Sequence, residues 1–288
     1  MLAYRLCLLC LRPEPGVNCR DTIQLKIDWN IVPIEIRQFA CLSDNYGFLV
    51  RDAATGATAS IDTPDPDAIN RELEAAGWRL THILNTHHHF DHAGGNLALK
   101  QKWNCEIIGP KGEADRIPGI GSRVGENDIV SLGDSNAIVR ETPGHTLGHI
   151  IYHFPDDGAA FVGDTIFAMG CGRLFEGTAG QMWASLSKIA AMPENTRLYC
   201  AHEYTKANAN FALSIDSENA ALKSRAREVD LLRAGNKPTV PTTLAAELAT
   251  NPFLRADGPD LRTALNMRHD KAEEVFAEIR RRKDVFKG

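Results

Sequence analysis

The densest chemistry in this chain lies between positions 87 and 92. There the sequence reads His87-His88-His89-Phe90-Asp91-His92, five metal-ligand side chains in six positions. Neutral imidazoles and carboxylates are the donors that zinc and similar cations take from proteins. A solvated histidine-rich loop is the plainer alternative. Against it, the tract is internal, Asp91 and then Ala93-Gly94-Gly95-Asn96 punctuate it, and such density is not a chance expectation. The tract directly follows an apolar run, residues 80–84, that reads as a strand. Loops at strand ends are where α/β folds place their chemistry.

Three more donors each follow a strand-like run. His145 comes after residues 137–140 within Thr142-Pro143-Gly144-His145, Asp164 after 159–162 within Gly163-Asp164-Thr165, and His202 after 198–200. Singly, each has a mundane explanation as a turn residue, a helix cap or a loop histidine. Together they give the first tract enough partners for two metals.

The elements that must carry these donors alternate. Residues 31–39 and 46–51 read as strands separated by a turn at Ser43-Asp44-Asn45. Asp65-Pro66 is an N-cap followed by proline at the first helical position. Ile69, Leu73 and Ala76 continue that helix to Gly77, which stops it. A further helix runs through Leu97 and Leu99. Residues 137–140, 149–154 and 159–162 read as strands, Met182, Leu186 and Ile189 as a helix, and 198–200 as a last short strand. This mixture predicts an α/β layered domain over residues 31–204. From 205 to 288 the pattern is helical: Leu222, Val229 and Leu232 line one helix, Leu244 and Leu248 a second ending at Asn251-Pro252, and 271–283 form the last. We read this tail as a smaller C-terminal helical domain.

Composition excludes several function classes. The chain has 288 residues, 43% hydrophobic and 24% charged, enough apolar material for a core. A net charge of −5 offers no bulk attraction to nucleic acid. No apolar run reaches the roughly 18 residues of a bilayer-spanning helix. Seven cysteines, an odd number without framework spacing, predict reduced thiols and a cytoplasmic location. Cys7 and Cys10 form a C-x-x-C with no second pair and no preceding βαβ unit, so no redox or zinc role is assigned to them. Residues 1–30 read as a disordered extension or a start codon placed too early, ahead of an equally weak signal-peptide or organelle-targeting reading. Their apolar start near Arg5 and Arg12 is short and lacks a convincing small-residue cleavage site, which argues against a signal peptide.

The T-H-x-H-x-D-H pattern followed by His145, Asp164 and His202 resembles the metallo-β-lactamase superfamily. The resemblance implies an αββα sandwich with two divalent metal ions at one edge, zinc first, with iron or manganese also suited to these donors. It places one metal on His87, His89 and His145, the second on Asp91, His92 and His202, and Asp164 between them with a water or hydroxide. Asp91 and Asp164 are then the catalytic carboxylates. His82, His88, His149, His153 and His269 fall outside this pattern and are taken as structural or solvated, His88 being the next contributor as a supporting group.

Further motifs narrow the resemblance to the glyoxalase II family. They are Ser43-Asp44-Asn45-Tyr46, Gly170-Cys171-Gly172-Arg173, Phe175-Glu176-Gly177, His202-Glu203-Tyr204-Thr205, Val240-Pro241-Thr242-Thr243-Leu244, Asn251-Pro252-Phe253-Leu254-Arg255 and Arg280-Arg281-Arg282-Lys283-Asp284. That family implies hydrolysis of a glutathione thioester, with glutathione lying between the catalytic domain and the tail. Its contacts would map to Arg173, Phe175, Tyr204, Arg280 and Lys283. Cationic donors suit the two carboxylates of glutathione, although basic residues also end helices simply to offset the dipole. Two positions depart from the commoner pattern: Arg173 stands where many relatives have lysine, and Phe175 where tyrosine is frequent, which removes a hydroxyl donor. The expected enzyme is a monomer acting on a small molecule. A mononuclear iron persulfide dioxygenase would need fewer ligands. A nuclease should carry a basic surface, and a closed structural zinc site would use four ligands, often cysteines.

Overall fold

The donor-bearing loops hang from two six-stranded sheets. The computed structural model describes residues 33–287. The expectations for residues 1–30, the Cys7–Cys10 pair among them, lie outside the described residues. The first sheet runs in chain order: β1 (Glu35–Cys41), β2 (Asn45–Arg51), β3 (Thr58–Ile61), β4 (His82–Leu84), β5 (Glu106–Pro110) and β6 (Ser122–Val124). Its first three strands pair antiparallel, and β3 to β6 pair parallel. Parallel neighbours need crossovers. One is α1 (Pro66–Ala76); another comprises α2 (Phe90–Ala93) and α3 (Asn96–Trp103).

The second sheet contains β7 (Ile129–Leu132), β8 (Ser135–Glu141), β9 (Ile150–Phe154) and β10 (Ala159–Gly163). Next along the chain come a two-strand hairpin, β11 (Ile166–Phe167) and β12 (Gly170–Cys171), and α4 (Ala179–Ala190). Strand β13 (Arg197–Cys200) then returns to the sheet parallel to β10. The tail supplies α5 (Thr205–Ile215), α6 (Ala220–Ala234), β14 (Thr242–Thr243), α7 (Leu244–Thr250), α8 (Pro259–Ala264) and α9 (Ala272–Val285).

Alternation along the strands builds the layers. In β2, Phe48 and Val50 point into the core shared with the second sheet, while Leu49 packs with Ile69, Leu73 and Leu99 of the covering helices. Ile83 and Leu84 of β4 divide the same way. Strands β9 and β10 are buried along their whole length. Such continuous burial is expected where both faces are covered. On the far side α4 and α9 pack together, with Met182, Leu186, Phe276 and Ile279 in the same core. This is the expected αββα sandwich.

Local signals hold where side chain and backbone agree. Asp65 caps α1 by accepting from Asp67 and Ala68 N–H, and Gly77 ends it at φ 68°. Some details differ or are refined. The first strand begins at Glu35 rather than 31. The helix expected through Leu97 and Leu99 is present as α3, with the short α2 before it; Gly95 between them packs so closely that a Cβ would collide with the Thr63 carbonyl. The tail is not wholly helical: Thr242 and Thr243 pair with Leu198 and Arg197 and extend the second sheet.

Candidate metal centre

The loop after β4 delivers His87, His88 and His89, and the first turn of α2 delivers Asp91 and His92. His145 comes from the loop after β8, Asp164 from the turn after β10, and His202 from the residues after β13. All seven predicted donors converge. His87 Nε2 and His145 Nε2 lie 3.0 and 3.1 Å from His89 Nδ1. His92 Nε2 and His202 Nε2 lie 3.5 and 3.4 Å from Asp91 Oδ2. Asp164 stands between these trios. Its Oδ1 is 3.4 Å from His92 and 3.5 Å from His202, and its Oδ2 is 3.4 Å from His145.

The donor set fits divalent cations. His92 Nε2 and Asp164 Oδ1 are buried with no hydrogen-bond partner. Buried polar atoms are rarely left so unless another ligand satisfies them. Donor atoms of His87, His89 and His145, and of Asp91, His92 and His202, fall within 4.8 Å of one another in each group. Burial, with help from neighbouring imidazoles, holds His87, His89 and His145 below the ordinary histidine range, so they are neutral donors. Burial also opposes charge on His92, but Asp164, Asp62 and Asp91 outweigh it and raise the group to about 9. This pocket of carboxylates therefore favours positive charge.

Outer partners aim the rings. His92 Nδ1–H donates to Asp62 at 2.8 Å, His202 Nδ1–H to Asp44 at 2.8 Å, and His145 Nδ1–H to the Arg173 carbonyl at 2.8 Å. Thr86 Oγ1 donates to Asp62 and accepts from His87 Nδ1–H. Each of these four imidazoles thus keeps Nε2 for the centre, as metal-ligating histidines do. Asp91 is held by Asn45 Nδ2 at 3.1 Å. Asp62 also accepts the Thr86 N–H at 2.7 Å. Neither Asp62 nor Glu113, a buried carboxylate bonded to His88, drew attention in the sequence. Both sit far from the histidine tract, and no local spacing marks them.

His149 lies outside the donor set but supports it. It stacks on His87 and accepts the Asp164 N–H at 3.1 Å. Gly163, at φ 47°, is needed here: any Cβ would strike Thr86 Oγ1 and His149 Nε2. Gly172 is likewise required, since a Cβ would collide with the Asp164 carbonyl. His88 turns away toward Glu113. His82 bonds Thr81, and His269 is exposed. Cys171 is buried, and burial pushes its thiol up to about 11, which leaves little thiolate for nucleophilic attack.

Comparison with known proteins decides the family. Residues 48–202 match the metallo-beta-lactamase superfamily model and residues 203–286 the model for the hydroxyacylglutathione hydrolase C-terminus. The hydroxyacylglutathione hydrolase of Maricaulis maris is 61% identical over 87% of this chain and 98% of its own length. That of Hyphomonas neptunium is 55% identical over 88% and 99%. The chain belongs to the hydroxyacylglutathione hydrolase family. Among solved structures, ETHE1 from Myxococcus xanthus superimposes with a TM-score of 0.63 at 24% identity, covering 86% of this chain and 90% of that one. At that identity the likeness shows the fold alone. Divalent metal binding accords with the family and with the His/Asp clusters.

In this member of the hydroxyacylglutathione hydrolase family, the five positions expected from the sequence to contact substrate differ in their settings. Tyr204 stacks on His202 with ring centroids 4.8 Å apart. Phe175, 61% exposed, stands edge-on to His89 and His145 at 5.7 and 5.2 Å. Arg173 is exposed, with Nε 3.8 Å from Asp284. Lys283 donates to the Ala207 carbonyl and lies over Phe211 and Phe286. Arg280 is only 6% exposed and already engaged: it donates to the Cys171 carbonyl at 3.1 Å and pairs with Asp284 at 2.8 Å.

Proposed function

We propose that this chain hydrolyses S-(2-hydroxyacyl)glutathione thioesters, S-D-lactoylglutathione first, to glutathione and a 2-hydroxy acid, the second step of methylglyoxal detoxification. The observation that carries the reading is Asp164, whose two oxygens face separate donor trios. His87, His89 and His145 would hold one cation, Asp91, His92 and His202 a second, and Asp164 would serve both. Zinc suits the set best, with iron or manganese as substitutes. Bound there, such cations supply Lewis acidity and hydroxide near neutral pH.

The chain's own residues do the rest. Asp91 and Asp164 would set the negative charge that retains the cations, and Asp164 would help orient the attacking water. Phe175 over His89 and His145, and Tyr204 over His202, wall the centre and limit bulk water. Arg173 and Lys283 offer cations to the glutathione carboxylates. Arg280 adds charge to that face while fixing the Cys171 backbone. The leaving thiolate needs no positioned acid, because a thiol pKa near ~8.5 lets it depart as the anion. A monomer in the cytoplasm, acting without nucleic acid, completes the proposal. Among the described residues no helix is long and apolar enough to cross a membrane.

The test combines thioester loss with metal analysis on one sample. Rapid hydrolysis with about two metals per chain, abolished by Asp164→Ala, supports the proposal. Two bound metals with intact thioester would remove the glutathione specificity. The mononuclear dioxygenase is disfavoured by the complete second trio of Asp91, His92 and His202. One iron per chain with oxygen uptake on glutathione persulfide would restore it.

A further inference from the structure

Between β5 and β6 the chain makes a short 3-10 turn, Lys111–Arg116, that contributes no donor. Its Glu113 is buried, 4% exposed. One carboxylate oxygen accepts both the His88 backbone N–H at 2.9 Å and His88 Nδ1–H at 2.6 Å. The other accepts the Gly148 N–H at 2.9 Å. A single carboxylate therefore fastens the loop carrying His87 and His89 to the loop carrying His145. The turn grips the second loop again through Arg116. That guanidinium holds Glu176 Oε1 at 2.6 Å, and Glu176 Oε2 accepts the Leu147 N–H at 2.9 Å. None of these bonds reaches Asp91, His92 or His202, whose supports are Asn45, Asp62 and Asp44.

We infer that Glu113 is a positioning residue for one half of the centre: it sets the spacing of the His87, His89 and His145 trio, and so that trio's cation affinity, and leaves the other trio alone. The inference rests on the two-cation reading above. A buried charge is costly unless hydrogen-bonded, and three N–H donors offset that cost here. Because all three donors belong to the two ligand loops, the carboxylate's stabilisation exists only when those loops are correctly spaced. Donor sites tolerate only small displacements before function suffers. Gly148 lies so close that a Cβ there would strike the Glu113 side chain, so the loop backbone packs directly on it.

Glu113→Gln tests this, since it keeps the size but turns one oxygen into an NH₂ facing N–H donors. Zinc titration of the folded variant against a chelator should show one of two zinc ions bound roughly 10–100-fold more weakly, the usual cost of an outer-shell change, with the other unaltered. The kcat should fall by a similar factor, while the thioester KM changes less than about twofold. His88→Asn offers an amide donor in place of Nδ1 and should retain most of the affinity. His88→Leu removes the donor and should behave like Glu113→Gln. Should Glu113→Gln fail to fold, the His88 pair decides. Wild-type zinc binding in Glu113→Gln, equal weakening of both sites, or identical behaviour of the two His88 variants would overturn the inference. A wild-type protein that binds two zinc ions but spares the thioester defeats the hydrolase reading and leaves the inference standing. A wild type retaining one zinc defeats the two-cation reading and the inference with it.

Discussion

The donor loops and the helical tail both bury charged side chains, but they use them differently. In the loops, polar atoms converge, and His92 Nε2, Asp164 Oδ1 and the Thr146 hydroxyl are left unpartnered. In the tail, buried charge is satisfied internally. Glu247 is fully buried, bonds Arg225 and Thr242, and accepts the Met169 N–H and Asn251 Nδ2–H at 2.8 and 2.9 Å. Asn251 also donates to the Phe167 and Gly170 carbonyls, so the tail pins the β11–β12 hairpin that leads from Asp164 to Arg173. Among the described tail residues, no buried side-chain polar atom lacks a partner. A satisfied network rigidifies; an unsatisfied one awaits a ligand.

The contrast can be broken from the loop side first. Asp164→Ala removes the one carboxylate shared by both trios. Several kcal/mol of charge stabilisation, at 1.36 kcal/mol per decade, predicts a loss of roughly 10³-fold in kcat. A loss under about tenfold would mean that Asp164 does not bridge. Asp62→Asn should come next, with metal affinity about 10–100-fold weaker, chiefly at the second trio, since Asp62 also steadies His87 through Thr86. Asparagine tolerates the positive φ of 57° at this position, so backbone strain should not confuse the result.

On the tail side, Asn251→Ala removes one donor from the Glu247 carboxylate and from two buried carbonyls. It should destabilise by about 2–4 kcal/mol in denaturant melts, while chelator titration of the folded fraction changes little. If metal affinity fell as far as in Asp62→Asn, the division between the regions would collapse. Lys283 sharpens the comparison through pH. Burial first, then Arg280 and Arg173, lower its pKa to about 8 from an unfolded value near 10.5. Between those values the unfolded chain binds the extra proton, so this group's contribution to stability rises with pH from about 8 to 10.5 and is flat below. Activity should move oppositely. If Lys283 pairs with a glutathione carboxylate, kcat/KM falls above about pH 8, and Lys283→Met abolishes that limb. The smallest effect belongs to Phe175→Tyr. Restoring one hydroxyl beside the centre should lower KM by no more than about tenfold with kcat unchanged.

Legibility followed the length of the physical signal. Helix α1 was readable because Asp65, Pro66 and Gly77 each meet a backbone need that their neighbours in sequence impose. Strands β3, β5, β6 and β7 were not read. They are about as short as β4 and β13, which were read, so length alone does not separate them; pairing and burial make them strands. Strand β14 exists only because β13 offers an open edge to Thr242 and Thr243.

By itself the sequence determined the donor chemistry, since five ligand-type side chains between His87 and His92 admit few other uses, and it marked His145, Asp164 and His202 by their place after apolar runs. Only the tertiary structure decided what holds those donors. Asp62, Glu113 and Glu247 come from three distant segments and act through single carboxylates on loops far along the chain. An isolated acidic residue carries no periodicity, cap or turn signature. Its role is set by which N–H groups the fold brings to it.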